Sequence, residues 1–205
     1  MTRIVTSLVL IPTVVWLVLG APAWAFIAAL VVVGSLALRE VVQIGTNAVA
    51  SAVLGAIYIG GAWFCAFKLR EISPHWLMFA FILCWAGDTA ALYIGKNFGK
   101  HKLAPAISPA KTWEGAIASV MGGVFIGAIY LRYFLPAASL RTVLIAGIAG
   151  NVAGQIGDLV ESKYKRSVGV KDSGSSLPGH GGWLDRIDSS LLAAPVVYAL
   201  VLLAA

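Results

Sequence analysis

Long apolar stretches and short polar ones alternate along the whole chain. The apolar runs fall at residues 4–20, 24–38, 48–67, 76–95, 115–135, 142–157 and 189–205. Each is near the roughly 15 to 20 residues that a helix needs to cross about 30 Å of hydrocarbon. Hydrocarbon offers no hydrogen-bond partner to an exposed backbone, so runs of this kind form helices. The apolar–polar alternation of a membrane barrel is absent. The pattern therefore predicts an all-α, polytopic helical membrane protein with about seven transmembrane segments. The run at 142–157 is short and leads straight into a polar block, which predicts a tilted, broken or half-buried helix there. Met1–Gly20 also has the outline of a secretory signal, with Arg3 before an apolar run and Ala21-Pro22-Ala23 after it. Pro12 inside that run, and a second apolar run directly behind it, favour a retained first span.

Composition agrees with this pattern. Hydrophobic residues fill 60% of the 205 positions and charged residues 12%, against roughly 45–50% and about 25% in soluble domains; this composition argues against a water-soluble fold. No repeat, low-complexity tract or flexible linker divides the chain. The reading is one integral membrane domain over 1–205, with N-terminal spans over 1–75 and the catalytic chemistry in a middle and C-terminal region over 76–205. Cys65 and Cys84 lie in apolar runs, away from any metal or redox spacing, and are read as packing residues. Gly55, Gly60-Gly61, Gly122-Gly123 and Gly127 offer small surfaces where membrane helices approach closely.

The net charge is +6, which in so apolar a chain points to cytoplasmic loops and anionic ligands rather than to nucleic acid. With the N-terminus inside, eleven of the fifteen Lys and Arg residues fall on the cytoplasmic side, and Lys68, Arg70, Arg132 and Arg141 on the other. That asymmetry follows the positive-inside rule. It turns the loops after the fourth and sixth spans toward cytosolic nucleotides.

Most of the polar chemistry sits in the 31 residues from Asp158 to Asp188, DLVESKYKRSVGVKDSGSSLPGHGGWLDRID, which hold ten of the 24 charged residues together with His180. A solvated loop would account for the charge, but not for spaced carboxylates or for glycines around a single histidine. Asp185 and Asp188 are three apart, so on a helix they share a face and can reach one ion or two adjacent ions. Magnesium, which takes oxygen ligands and substrate phosphates together, suits that spacing. Capping of the last helix is the alternative, since acids favour a helix start. Ser162, Lys163, Lys165 and Arg166, followed by Lys171-Asp172, concentrate cations beside a hydroxyl. Lysine acts as a point charge and arginine as a two-pronged donor, so this cluster can hold a triphosphate and offset charge on a departing pyrophosphate. Anchoring at the membrane surface is the plainer alternative. In Gly179-His180-Gly181-Gly182 the glycines let backbone amides approach an anion, with His180 binding phosphate, assisting proton transfer, or serving structure alone. A second polar patch runs from Asp88 to Glu114. Asp88 lies inside an apolar run, where a carboxylate is costly and marks a functional candidate facing the same cavity. Ser108-Pro109 with Lys111, Thr112 and Glu114 read as a short cytoplasmic loop entering a helix, where Thr112 or Ser108 caps exposed amides or the loop contacts substrate.

The run Ser162-Lys163-x-Lys165-Arg166, Lys171-Asp172 and LPGHGGWLDRID resembles the C-terminal signature of bacterial phosphatidate cytidylyltransferases, also called CDP-diglyceride synthases. Asp88 with Tyr93, Gly95 and Lys96, then FGKHKLAP and SPAKTWEG, resembles the middle region of that family. The likeness runs from about Gly55 to the C-terminus. The N-terminal region looks shortened against the family, although the Arg39-Glu40 ending of the second span is similar, and Ala110 stands where a second lysine is common. The resemblance implies a nucleotidyltransferase of phospholipid biosynthesis that joins CTP to phosphatidate and gives CDP-diacylglycerol and pyrophosphate. It implies Mg2+ held by Asp185 and Asp188, with Asp158 as a further ligand or an orienting group, and Lys163 and Lys171 acting in catalysis. Ser162, Lys165, Arg166, Asp172, His180, Lys111 and Asp88 are the implied substrate-binding residues. The implied location is the bacterial inner (cytoplasmic) membrane with the site facing the cytoplasm. Membrane lipids and a second copy, as a homodimer, are the implied partners. A CTP-dependent transferase acting on another lipid phosphate or a lipid alcohol is the nearest alternative. More distant are a transporter or channel with Asp88 on its path, and an inactive homologue serving as a structural partner.

Overall fold

The computed structural model describes residues 2–176 and 181–204, with side chains from Thr6 onward. The described helices are α1 Thr2–Leu19, α2 Ala23–Ile44, α3 Ala48–Ile72, α4 Pro74–Phe98, α5 Trp113–Phe134, α6 Leu140–Ser167 and α7 Leu184–Leu203. A two-stranded antiparallel hairpin, β1 Lys102–Ala104 and β2 Ser108–Thr112, stands between α4 and α5. Helices α2 to α7 are each long and apolar enough to cross a membrane, and α1 carries a shorter apolar stretch, Thr6–Leu19. The chain is a polytopic helical membrane protein, as its pattern predicts.

Several boundaries differ from those of the apolar runs: α2 continues to Ile44 and α3 to Ile72, past runs that end at 38 and 67. Helix α6 runs unbroken to Ser167 instead of stopping near 157. Its polar end stays helical because charges and hydroxyls pair one turn apart, Ser162 with Asp158 and Lys165 with Glu161. Helix α7 begins at Leu184, so Asp185 and Asp188 both lie within its first turns. The loop before α5 is a hairpin, with Lys102 opposite Thr112 and Ala104 opposite Ser108. Of the two proposed caps there, Thr112 is the one used, accepting from the Gly115 amide at 3.1 Å. Asn47, Ser73 and Ser139 cap α3, α4 and α6 in the same manner.

Lipid tails are as apolar as leucine, so these helices are held by close fit rather than by escape from water. The most extensive contacts are between α4 and α5 and between α6 and α7. Phe79, Leu83, Leu69, Leu131 and Val197 are buried at the centre. Gly123 and Gly127 let α5 close on Leu83 and Phe79, and Gly55 lets α3 close on Leu38 and Val41 of α2. Gly60 and Gly61 meet nothing within 4 Å. Cys84 is buried and Cys65 half-buried, both as free thiols. Buried Asn151 on α6 donates to the Leu83 carbonyl at 2.8 Å and pairs with Ser119 of α5, tying three helices together. Arg70 of α3 donates from Nε to the Val18 carbonyl at 2.9 Å and from a terminal nitrogen to the Ala21 carbonyl. It also covers the Phe26 ring at 4.7 Å, which fastens the turn between α1 and α2.

Candidate active site

The polar end of α6 and the start of α7 build one site. Asp158 and Glu161 are three apart on α6 and share a face. Gly157 allows α7 to press against that face: a Cβ there would stand 2.7 Å from the Asp188 carbonyl. Gly154 and Gly150 continue the same contact line along Ser189, Ala193 and Val197. The close approach brings Asp188 to the other two acids, so that one carboxylate oxygen each from Asp158, Glu161 and Asp188 lies within 4.8 Å of the others.

Two lysines flank the trio. Lys111, carried in by β2, reaches Asp158 Oδ2 at 2.6 Å, and the Ser162 hydroxyl donates to Asp158 Oδ1 at 3.3 Å. Lys165 is buried and bridges Glu161 Oε2 at 3.0 Å and Asp185 Oδ1 at 2.5 Å. Four carboxylates thus face two ammonium groups, a formal excess of two negative charges. Glu161 Oε1 is buried without a hydrogen-bond partner among the described residues, an arrangement that folded proteins rarely leave uncompensated. An all-oxygen donor set, an excess negative charge and an orphaned buried oxygen all fit a hard divalent cation. The acidic group can hold a metal ion.

The pair singled out by spacing is divided between two settings. Asp188 belongs to the trio. Asp185 lies outside it: its carboxylate accepts from the Gly182 amide at 2.8 Å and the Ser173 amide at 3.1 Å, in addition to Lys165. Gly181 beside it has φ +79, a conformation open to glycine. Asp88 of α4 lines a cleft together with Asp185, Arg186 and Asp188. Lys163, Arg166, Lys171 and Asp172 are exposed at the polar end of the bundle, and Arg166 donates to the Val170 carbonyl at 2.9 Å. His180, with Pro178 and Gly179 before it, lies outside the described residues.

Two carboxylates lie outside the candidate site residues that the sequence offers. Glu161 had a readable signal, three residues after Asp158 and four before Lys165. Glu40 stands just past the apolar run 24–38, in the Arg39-Glu40 ending of the second span; it is 2% exposed and faces the segment between α6 and α7.

Two apolar clefts of about 360 Å³ each end at these acids. One is lined by Leu10, Val14, Phe26, Trp63 and Trp85. The other is lined by Val41, Leu54, Tyr58, Val160 and Leu191. Asp188 lines both.

Fold and site together define an integral membrane protein whose helices present metal-competent carboxylates to apolar clefts. Residues 45–204 match the model of the cytidylyltransferase family, and the chain belongs to that family. Among its relatives is the phosphatidate cytidylyltransferase of Staphylococcus saprophyticus, 39% identical over 150 residues, which cover 73% of this chain and 58% of that protein. The proteins of the same name from Staphylococcus haemolyticus and Staphylococcus aureus are 38% and 39% identical over the same shares. The chain spans 58% of the length of these relatives.

Proposed function

We propose that the protein is a phosphatidate cytidylyltransferase of the bacterial inner membrane, joining CTP to phosphatidate to give CDP-diacylglycerol and pyrophosphate. The observation that carries this reading is the position of Asp188, at once in the carboxylate trio and in the wall of two apolar clefts. A lipid phosphate can reach that point from the bilayer, and a nucleotide from the water at the polar end of the bundle. Its family membership and the names of its relatives support the same reaction.

In this reading a phosphatidate oxygen bonds to the α-phosphorus of CTP as the bond from that phosphorus to the β-bridging oxygen breaks, and pyrophosphate leaves. Asp158, Glu161 and Asp188 would hold Mg2+, which when bound supplies positive charge beside the triphosphate. Glu161 thus takes the place expected of Asp185. Lys111 stands 2.6 Å from Asp158 and can turn to a phosphate oxygen without leaving the site. Lys163, Arg166 and Lys171 meet the triphosphate from the cytoplasmic side, with Ser162, Asp172 and His180 as further contacts and Asp88 on the cleft wall. Lys165, paired with both Glu161 and Asp185, links and orients them. Catalysis then rests on positioning and charge, without a covalent intermediate. A second copy of the chain as partner is part of the same reading, checked by the mass of the purified particle.

The test is pyrophosphate release by purified protein in micelles containing phosphatidate, with CTP and Mg2+, against ATP, GTP and no lipid. Release that needs CTP, lipid and metal, with label from CTP appearing in a CDP-lipid, is the expected result. Transfer of the γ-phosphate instead would overturn the mechanism. Asp188→Asn should lower turnover by more than about 100-fold while leaving the protein folded in detergent.

A further inference from the structure

Glu40 lies on α2, remote in sequence from the acids of the site. Its side chain is buried and accepts four hydrogen bonds, all from uncharged donors of one segment. Oε1 accepts from the Ser176 hydroxyl and the Trp183 amide, both at 3.0 Å. Oε2 accepts from the Ser173 hydroxyl at 2.8 Å and the Leu184 amide at 3.0 Å. The donors come from the middle of the link between α6 and α7, at Ser173 and Ser176, and from the start of α7, at Trp183 and Leu184, so one carboxylate ties the link back onto the start of that helix. The fit is tight: a Cβ on Gly182 would stand 2.3 Å from Glu40 Oε2 and 2.1 Å from Ser173 Oγ.

Two of these donors belong to the start of α7, whose first amides have no partner inside the helix. A carboxylate placed there satisfies them and favours the helix dipole. Asp185 grips the same segment from the other side, through the Ser173 and Gly182 amides. The start of α7 is thereby fixed in position and in rotation about its axis. Asp188 follows one turn later, so its entry into the carboxylate trio depends on that rotation.

We propose that Glu40 is a positioning residue for the transfer reaction, a clamp that sets the first turn of α7 and so the placement of Asp188; the proposal rests on the reading of function given above. Glutamine at this position tests it closely. An amide nitrogen cannot accept, so whichever oxygen it replaces leaves a backbone N–H facing a donor. A hydroxyl can turn away from such a clash, and the Trp183 or Leu184 amide cannot.

The experiment has two arms on the full-length protein in detergent. In the first, without nucleotide or metal, hydrogen exchange of peptides spanning residues 181–190 is compared between wild type and Glu40→Gln. Exchange there should quicken at least about tenfold, with α4, α5 and the first half of α6 unchanged. In the second, pyrophosphate release should show kcat down at least about tenfold, in the range for groups that orient metal ligands. KM for CTP should stay within about threefold, and Glu40→Asp should recover part of kcat. Unchanged exchange, unchanged kcat, or faster exchange in every helix would each overturn the proposal, the last by showing a purely structural role. If wild type itself releases no pyrophosphate from CTP, the reading of function fails, and the exchange arm still decides whether the clamp exists. Should Glu40→Gln fail to fold, Ser173→Ala with Ser176→Ala removes the two hydroxyl donors and is read in the same two ways.

Discussion

Glu161 has one oxygen committed to Lys165 and the other buried without a partner among the described residues. If that oxygen belongs to a metal, Glu161→Gln should raise the Mg2+ concentration for half-maximal pyrophosphate release by about 10- to 100-fold. A titration of rate against Mg2+ checks this, and an unchanged midpoint would remove Glu161 from the ligand set. The residue escaped the sequence reading because a glutamate four positions before a lysine looks like an ordinary helical pair. Asp185 and Asp188 illustrate the converse. Their spacing was correctly legible as two acids on one helix face, but spacing does not say where the helix begins. Asp185 falls in the first turn, where loop amides and Lys165 compete for its oxygens, whereas Asp188 lies deep enough to face α6. In the sequence Lys165 is indistinguishable from the neighbouring cations Lys163 and Arg166, since sequence records a charge and not the direction in which the side chain turns.

At the scale of elements, apolar length alone was sufficient to place the helices, because a bilayer leaves the backbone few alternatives. The polar extension of α6 and the early start of α7 were not legible. Charge there suggested a loop, whereas pairing within the helix and across to its neighbour stabilises it. The hairpin of β1 and β2 was also hidden, its strands being too short for a clear alternation. Gly123 and Gly127 in α5 and Gly55 in α3 were visible as packing surfaces, Gly60 and Gly61 look the same in sequence but meet nothing, and the more consequential set is Gly150, Gly154 and Gly157 on α6. Their spacing of four and three was available in the sequence. Gly157→Ala should push α7 outward, since the added Cβ would stand 2.7 Å from the Asp188 carbonyl. The expected outcome is at least about a tenfold loss of kcat, as for other changes near metal ligands. Gly60→Ala serves as the control, because nothing lies within 4 Å of that position, and it should leave the rate unchanged.

For the molecule as a whole, the proposed orientation puts the hairpin and the α6–α7 link on the cytoplasmic side, and Lys68 at the end of α3 on the other. Single cysteines can read this out in a chain whose Cys65 and Cys84 are replaced by alanine. In intact bacterial cells a membrane-impermeant maleimide should label Lys68→Cys, and should label Lys171→Cys only after lysis. The reverse pattern would invert the topology and separate the site from cytosolic nucleotide. The family match begins at residue 45, while Glu40, the α1–α2 turn and much of one apolar cleft lie before it. The stretch that carries the family's signature is therefore not a self-contained module: a swap of that stretch between relatives would move every acid of the trio and leave behind the carboxylate that grips the link between its two helices.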